Sequence, residues 1–276
     1  MPYSVVSWWV FLCAVAAINV IAWLLAAATL KRRQAGTDAD AFAFRRLQLV
    51  LSAAYVFGCA FRSVLPIYDI PRLCLVDSWA SSVLVGRSVA TVAELCFAAQ
   101  WALFLYESAR ATGSDVVRKL SLAIVPLIAI AEICSWYAVL TTANLGHVFE
   151  NSLWGISAAL VVAGMLVIGP RWPVNRRPML VVWTAFGLAY VAYMFVVDVP
   201  MYWSRWIIDE SNARAYLSLS QGVIDASACK LVSFLWEDWR HEVVWMSLYF
   251  SVGVWVSISL ILVAPPGPQK LARNVA

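Results

Sequence analysis

The sequence predicts an all-α, polytopic membrane protein: a seven-helix transmembrane bundle with an extra amphipathic helix on the outer surface. Three observations carry that prediction. Hydrophobic residues make up 63% of the 276 residues, charged residues only 13%, and the mean hydropathy is +0.78, values incompatible with a soluble domain of this length. Apolar stretches of about 18 residues or more, roughly what a helix needs to cross hydrocarbon, recur along the whole chain. Lys and Arg concentrate in alternate connections between those stretches, as cytoplasmic loops do.

The spans are expected at 7–30, 47–65, 80–106, 120–140, 148–168, 180–201 and 243–263, within a single helical domain covering 1–276. Span one has no basic region before it and exceeds a signal-peptide core in length, so it reads as a retained helix. Span two follows a basic connection and ends near Arg62. Span three carries Arg87, Thr91 and Glu94 on one helical face, because a seven-residue separation is close to two turns. Span four holds Glu132, with Trp136 one turn further on and Pro126 inside the helix, where a proline frees a carbonyl that must find another partner. Span five opens with His147, Glu150 and Asn151, span six carries Asp198 near its end, and span seven opens after His241 and Glu242.

Segment 202–242 is too long for a turn. Leu217, Ile224, Ala228, Leu231 and Leu235 recur at helical spacing opposite Gln221, Asp225 and Lys230, which predicts the amphipathic surface helix. An eighth span is disfavoured by Asp225 and Lys230 near its centre.

The basic connections hold Lys31, Arg32, Arg33, Arg45 and Arg46, then Arg110, Arg118 and Lys119, then Arg171, Arg176 and Arg177, then Lys270 and Arg273. The positive-inside rule therefore puts the N-terminus outside and the C-terminus in the cytoplasm. The absence of long polar loops points to a bacterial inner membrane. The net charge of +4 reflects this topology and calls for no nucleic-acid partner. The expected partners are the bilayer and a lipid or isoprenoid substrate; no protein partner is specified. Cys74 and Cys229 fall in outer connections and are a candidate disulfide pair.

Ionisable groups inside hydrocarbon are costly and usually functional. Glu94 and Glu132 are the candidate catalytic acid and base, since burial and a nearby Arg push two carboxyl groups toward different roles. Arg87, Trp136, Tyr137, Glu150, Asn151 and Asp198 are the candidate substrate-binding residues, with Arg87 also the expected counter-ion of Glu94. Aromatic residues in the spans, among them Trp101, Trp154, Trp183, Tyr190, Tyr193 and Trp245, would line a pocket able to stabilise a carbocation. His147 and His241 are both expected at the outer surface, too few and too peripheral for a multi-histidine metal or di-haem centre. No Lys lies midway along span seven to form a Schiff base, and no nucleotide-binding fingerprint or serine elbow is present. No metal or cofactor is expected.

In general layout these embedded carboxylates and aromatics resemble those of the small helical membrane terpene cyclases and the emopamil-binding sterol isomerases. The resemblance implies acid–base chemistry of cyclase or isomerase type on a lipid or isoprenoid. The alternative is a non-enzymatic transporter, proton or ion pathway, small-ligand receptor or accessory subunit of a membrane complex, in which Arg87, Glu94 and Glu132 bind or relay charge.

Overall fold

In hydrocarbon every backbone N–H and C=O must be satisfied within its own segment, so long apolar runs fold as helices. The computed structural model describes residues 4–36, 38–228, 231–263 and 265. Among them seven helices are long and apolar enough to cross a membrane, and the chain is an integral membrane protein with an all-α bundle. Spans one to five are α1 (Val5–Arg32), α2 (Ala39–Val64), α3 (Val83–Thr112), α4 (Asp115–Thr141) and α5 (Asn144–Ile168). Span six runs through α6 (Arg177–Tyr193) and α7 (Val199–Ser211). The extra helix is α8 (Leu219–Ala226), and span seven runs through α9 (Trp236–Leu248) and α10 (Val254–Leu262).

Local chemistry sets the ends. Gly113 closes α3 at φ 66°, a left-handed conformation that suits glycine, and Ser114 then caps α4 by accepting from Val117 N. This tight reversal lays α4 back against α3. Gly146 lets α5 approach α4 closely: a Cβ there would stand 2.7 Å from both Ala138 Cβ and the Cys134 carbonyl, the small-residue contact typical of membrane helices.

Several boundaries differ from expectation because hydropathy locates only the part of a helix that crosses hydrocarbon. Span two begins at Ala39, capped by Asp38, rather than at 47, and span six continues past 201 to Ser211. Span seven starts at Trp236 rather than 243. The long amphipathic surface helix is reduced to the eight residues of α8. Leu231 and Leu235, placed on its apolar face by spacing, instead lie in a strand and at the cap of α9.

That end of the bundle carries a small three-stranded sheet, β1 (Ile67–Tyr68), β2 (Leu73–Cys74) and β3 (Leu231–Val232), with β1 antiparallel and β3 parallel to β2. It joins the connection between spans two and three to the one entering span seven. Arg72, buried beside it, pairs with Asp225 of α8 and donates to the Val139 carbonyl of α4 at 2.8 Å. Cys74 is disulfide-bonded; Cys229, its expected partner, lies outside the described residues. Cys13, Cys59, Cys96 and Cys134 are free.

Spans six and seven are each interrupted by one π-helical stretch, Met194–Asp198 and Tyr249–Gly253. Such stretches leave carbonyls without their regular i+4 donors. In span seven Asn19 of α1 supplies the replacement: its Nδ2 donates to the Phe250 carbonyl at 2.7 Å, while its Oδ1 accepts from Trp255 Nε1 at 2.9 Å. Asn19→Leu should therefore cost about 1–3 kcal/mol by stranding these groups; chemical unfolding in neutral detergent, compared with Ile18→Leu on the exposed side of the same helix, checks this.

Candidate functional site

The embedded charges converge. Arg87 Nη2 on α3 lies 3.0 Å from Glu94 Oε2 on the same helix, 2.8 Å from Glu132 Oε2 on α4 and 3.2 Å from Glu150 Oε1 on α5. One guanidinium thus gathers a carboxyl group from each of three spans, and all four residues are buried. At 1.5 Å per residue Glu94 sits about 16 Å along α3 from Val83, and Glu132 about 14 Å along α4 from Thr141. The site is deep, but nearer the end that bears the sheet.

Each carboxylate has a further partner. Glu94 Oε1 accepts from the Tyr249 hydroxyl at 2.7 Å, and Tyr249 opens the π-helical stretch of span seven. Glu132 Oε2 accepts from Thr91 at 2.6 Å, and Thr91 in turn accepts from Trp136 Nε1 at 3.0 Å. Glu150 Oε2 lies 2.7 Å from His147 Nδ1, one turn earlier on α5. Glu132 Oε1 and Arg87 Nε are buried with no hydrogen-bond partner among the described residues. Carboxylate oxygens of the three glutamates lie within 4.8 Å of one another, a spacing a cation could bridge. Arg87 Nη2, within 3.2 Å of all three, already supplies that positive charge.

A cavity of about 830 Å³ lies beside this cluster, walled by residues of spans two to seven. Its sheet-end part is polar, with Arg62, Asp69, Arg87, Glu94, His147, Glu150, Asp198, Arg205 and Glu242 on the wall; the part towards the opposite end is apolar, with Phe97, Trp101, Ile128, Met165, Trp183 and Val256. Phe186 and Val197 of span six and Val244 and Leu248 of span seven line it and are themselves exposed. The opening of the cavity is assigned to this seam of exposed side chains, where lipid would be. Tyr193 and Trp245 stack across that opening with centroids 5.8 Å apart and planes 3° from parallel, and Trp183 Nε1 donates to Ser259 Oγ at 3.2 Å nearer the other end.

The expected site residues divide. Arg87, Glu94, Glu150, Asn151 and Asp198 line the cavity; Glu132 and Trp136 do not, standing behind Arg87 and Thr91. Tyr137 is 51% exposed and faces away, because its position next to Trp136 turns it about 100° round the helix. Arg87 is the counter-ion of Glu94, as expected, and of two further glutamates. His147 lies at the expected end but is buried on the cavity wall rather than on the surface. Sequence reasoning also missed the parts played by Tyr249, Glu242, Arg205 and Tyr68. The i, i+3 spacing of His147 and Glu150 is a signal that could have found their pairing. Tyr68, on β1 outside the spans, has its hydroxyl pKa pushed up to about 12 by burial and by the neighbouring Glu242.

No protein-family model, curated protein or solved structure matches the chain. The geometry therefore stands on its own chemistry. Removing the guanidinium leaves three carboxyl groups facing one another, so Arg87→Met should destabilise the fold by about 3–5 kcal/mol; adding Glu94→Gln, Glu132→Gln and Glu150→Gln to that variant should recover much of the loss in thermal unfolding of the purified protein.

Proposed function

We propose that the protein is a membrane-embedded acid–base enzyme whose substrate is an amphiphile, a lipid or isoprenoid, entering sideways between spans six and seven. The observation that carries this reading is that two proton-handling pairs, Glu94 with Tyr249 and His147 with Glu150, face one aromatic cavity that opens laterally. Three carboxylates around one guanidinium leave negative charge uncompensated in a low-dielectric site, and such charge is most readily met by a proton. Glu94, which lines the cavity as Glu132 does not, is assigned to give a proton to the substrate from Oε1, the oxygen it shares with the Tyr249 hydroxyl. The bond between His147 Nδ1 and Glu150 leaves Nε2 to take one, the arrangement in which a carboxylate orients a histidine base. Aromatic faces from Tyr190, Trp154 and Trp245 line the space between and suit a cationic intermediate of an isomerisation or cyclisation. Glu132, expected from the sequence as the partner acid, serves in this scheme as a positioning residue acting through Arg87.

The disulfide at Cys74 sits at the sheet end, whereas Lys31, Arg32, Arg110, Arg118, Lys119 and Arg171 cluster at the opposite end. An oxidising compartment at the first end and cytoplasm at the second agree with each other. They support an outward-facing sheet and an outside N-terminus; the bacterial inner membrane rests on the absence of long polar loops.

Lipid and isoprenoid profiles of expressing cells test the function. With membrane abundance matched, a product made by the wild type should fall about 100-fold or more with Glu94→Gln or His147→Asn, and less with Glu132→Gln. Identical profiles for wild type and Glu94→Gln sink the enzyme reading. Orientation is read separately: a C-terminal fluorescent-protein fusion that folds only in the cytoplasm should light up, and a dark fusion reverses the assignment.

A further inference from the structure

The charge of the cavity wall is unequal. Asp69, Glu94, Glu150, Asp198 and Glu242 face it, against the guanidiniums of Arg62, Arg87 and Arg205. Arg87 is committed to three glutamates. Arg205 packs on the Tyr202 ring, 5.1 Å from its Cζ, and lies near Tyr68, Asp198 and Glu242 without an ion-pair contact to either carboxylate. Arg62 hydrogen-bonds only to the Ile67 carbonyl at 3.5 Å, its Nε buried without a partner among the described residues. Asp198 and Glu242 are only 7% and 8% exposed, and among the described residues neither forms an ion pair. Asp198 accepts from the Tyr193 hydroxyl at 3.3 Å, and Tyr193 is the ring stacked on Trp245 at the lateral opening. Five carboxyl groups against three guanidiniums leave the wall an excess of acidic groups, and buried charge of one sign is costly unless something balances it.

The geometry points to a positively charged headgroup as what completes the site: we infer that the amphiphile carries an amine or quaternary ammonium group, held by Asp198 and Glu242 beside the stacked Tyr193 and Trp245 rings, with its chain lying in the apolar part near Phe97, Trp101 and Trp183. The inference rests on the sideways-entry reading above and adds the substrate class. Two carboxylates from facing spans supply the charge, and a ring face that the Tyr193–Trp245 stack leaves uncovered adds cation–π attraction to a desolvated ammonium ion. A sulfate or phosphate in the same position would meet uncompensated carboxylates. The volume suits one such molecule, since sites of about 300–1,000 Å³ take ligands of that size.

Purified full-length protein in neutral maltoside detergent is titrated with dodecyltrimethylammonium, dodecyl sulfate, dodecanol and tetramethylammonium, followed by tryptophan fluorescence and thermal shift. Dodecyltrimethylammonium alone should bind saturably and raise the melting temperature. Asp198→Asn and Glu242→Gln should each weaken it at least tenfold, and Trp245→Leu more than Trp245→Phe, in variants whose elution profiles match the wild type. Equal binding of dodecyl sulfate or dodecanol, or cation binding indifferent to both carboxylates, overturns the inference; tetramethylammonium binding as tightly as the long-chain cation removes the tail from it. Cation binding together with unchanged lipid profiles would keep this inference and end the enzyme reading, whereas a product with an anionic or neutral headgroup would keep the enzyme and end this inference.

Discussion

The Arg87 guanidinium is the constraint around which the sheet-end half of the bundle is organised. A lone charge at that depth is too costly to keep, and Glu94, Glu132 and Glu150 each suffer the same cost alone. Brought together they relieve one another, but only if α3, α4 and α5 hold a fixed rotation and depth. Close contacts such as Gly146 against Ala138 and Cys134 make that registry reachable. The polar cluster therefore specifies the packing of three otherwise interchangeable apolar helices, a role attested for buried polar groups elsewhere.

The remaining spans are held by neutral polar contacts in place of ions. Towards the other end, Gln100 of α3 and Gln48 of α2 exchange hydrogen bonds, and Ser257 of α10 donates to Gln100 Oε1 at 2.6 Å. Asn19 couples α1 to span seven in the same manner. Span six meets span seven through one such bond, Trp183 Nε1 to Ser259 Oγ at 3.2 Å near the far end, and otherwise through rings, Tyr193 and Tyr190 on Trp245. The exposed wall of the cavity thus lies along a seam bridged mainly by aromatic contacts.

Much of this was legible in the sequence, for a physical reason. Apolar length reports the solvent directly, so seven spans can be read without alignment, and embedded charges stand out against them. Their depth also follows from position, which is why Arg87, Glu94 and Glu132 can be expected together. Azimuth relative to neighbouring helices does not follow, and it decided the rest: Tyr137 turns outward, Glu132 stands behind the cavity, and His147 and Glu242, read as interface residues, turn in. The strands β2 and β3 pair across more than 150 residues of sequence, and nothing local announces them. Helical periodicity continued over Leu231 for lack of any signal that the backbone there had found a partner in Leu73.

The two π-helical stretches have a consequence for how the chain tolerates change in length. Each carries one more residue per turn than the helix around it, so it offsets the angular phase of everything that follows by about 100°. Asp198 and Tyr249 reach the cavity from inside these stretches, which makes the surplus residue part of the site's aim. Deleting a residue there would convert the stretch to ordinary α-helix and leave both flanks in phase with themselves, whereas a deletion elsewhere in the same spans would rotate one whole flank out of its packing. Spans six and seven are thus places where the protein can shed a residue and keep a membrane helix, at the expense of the side chains it presents to the cavity.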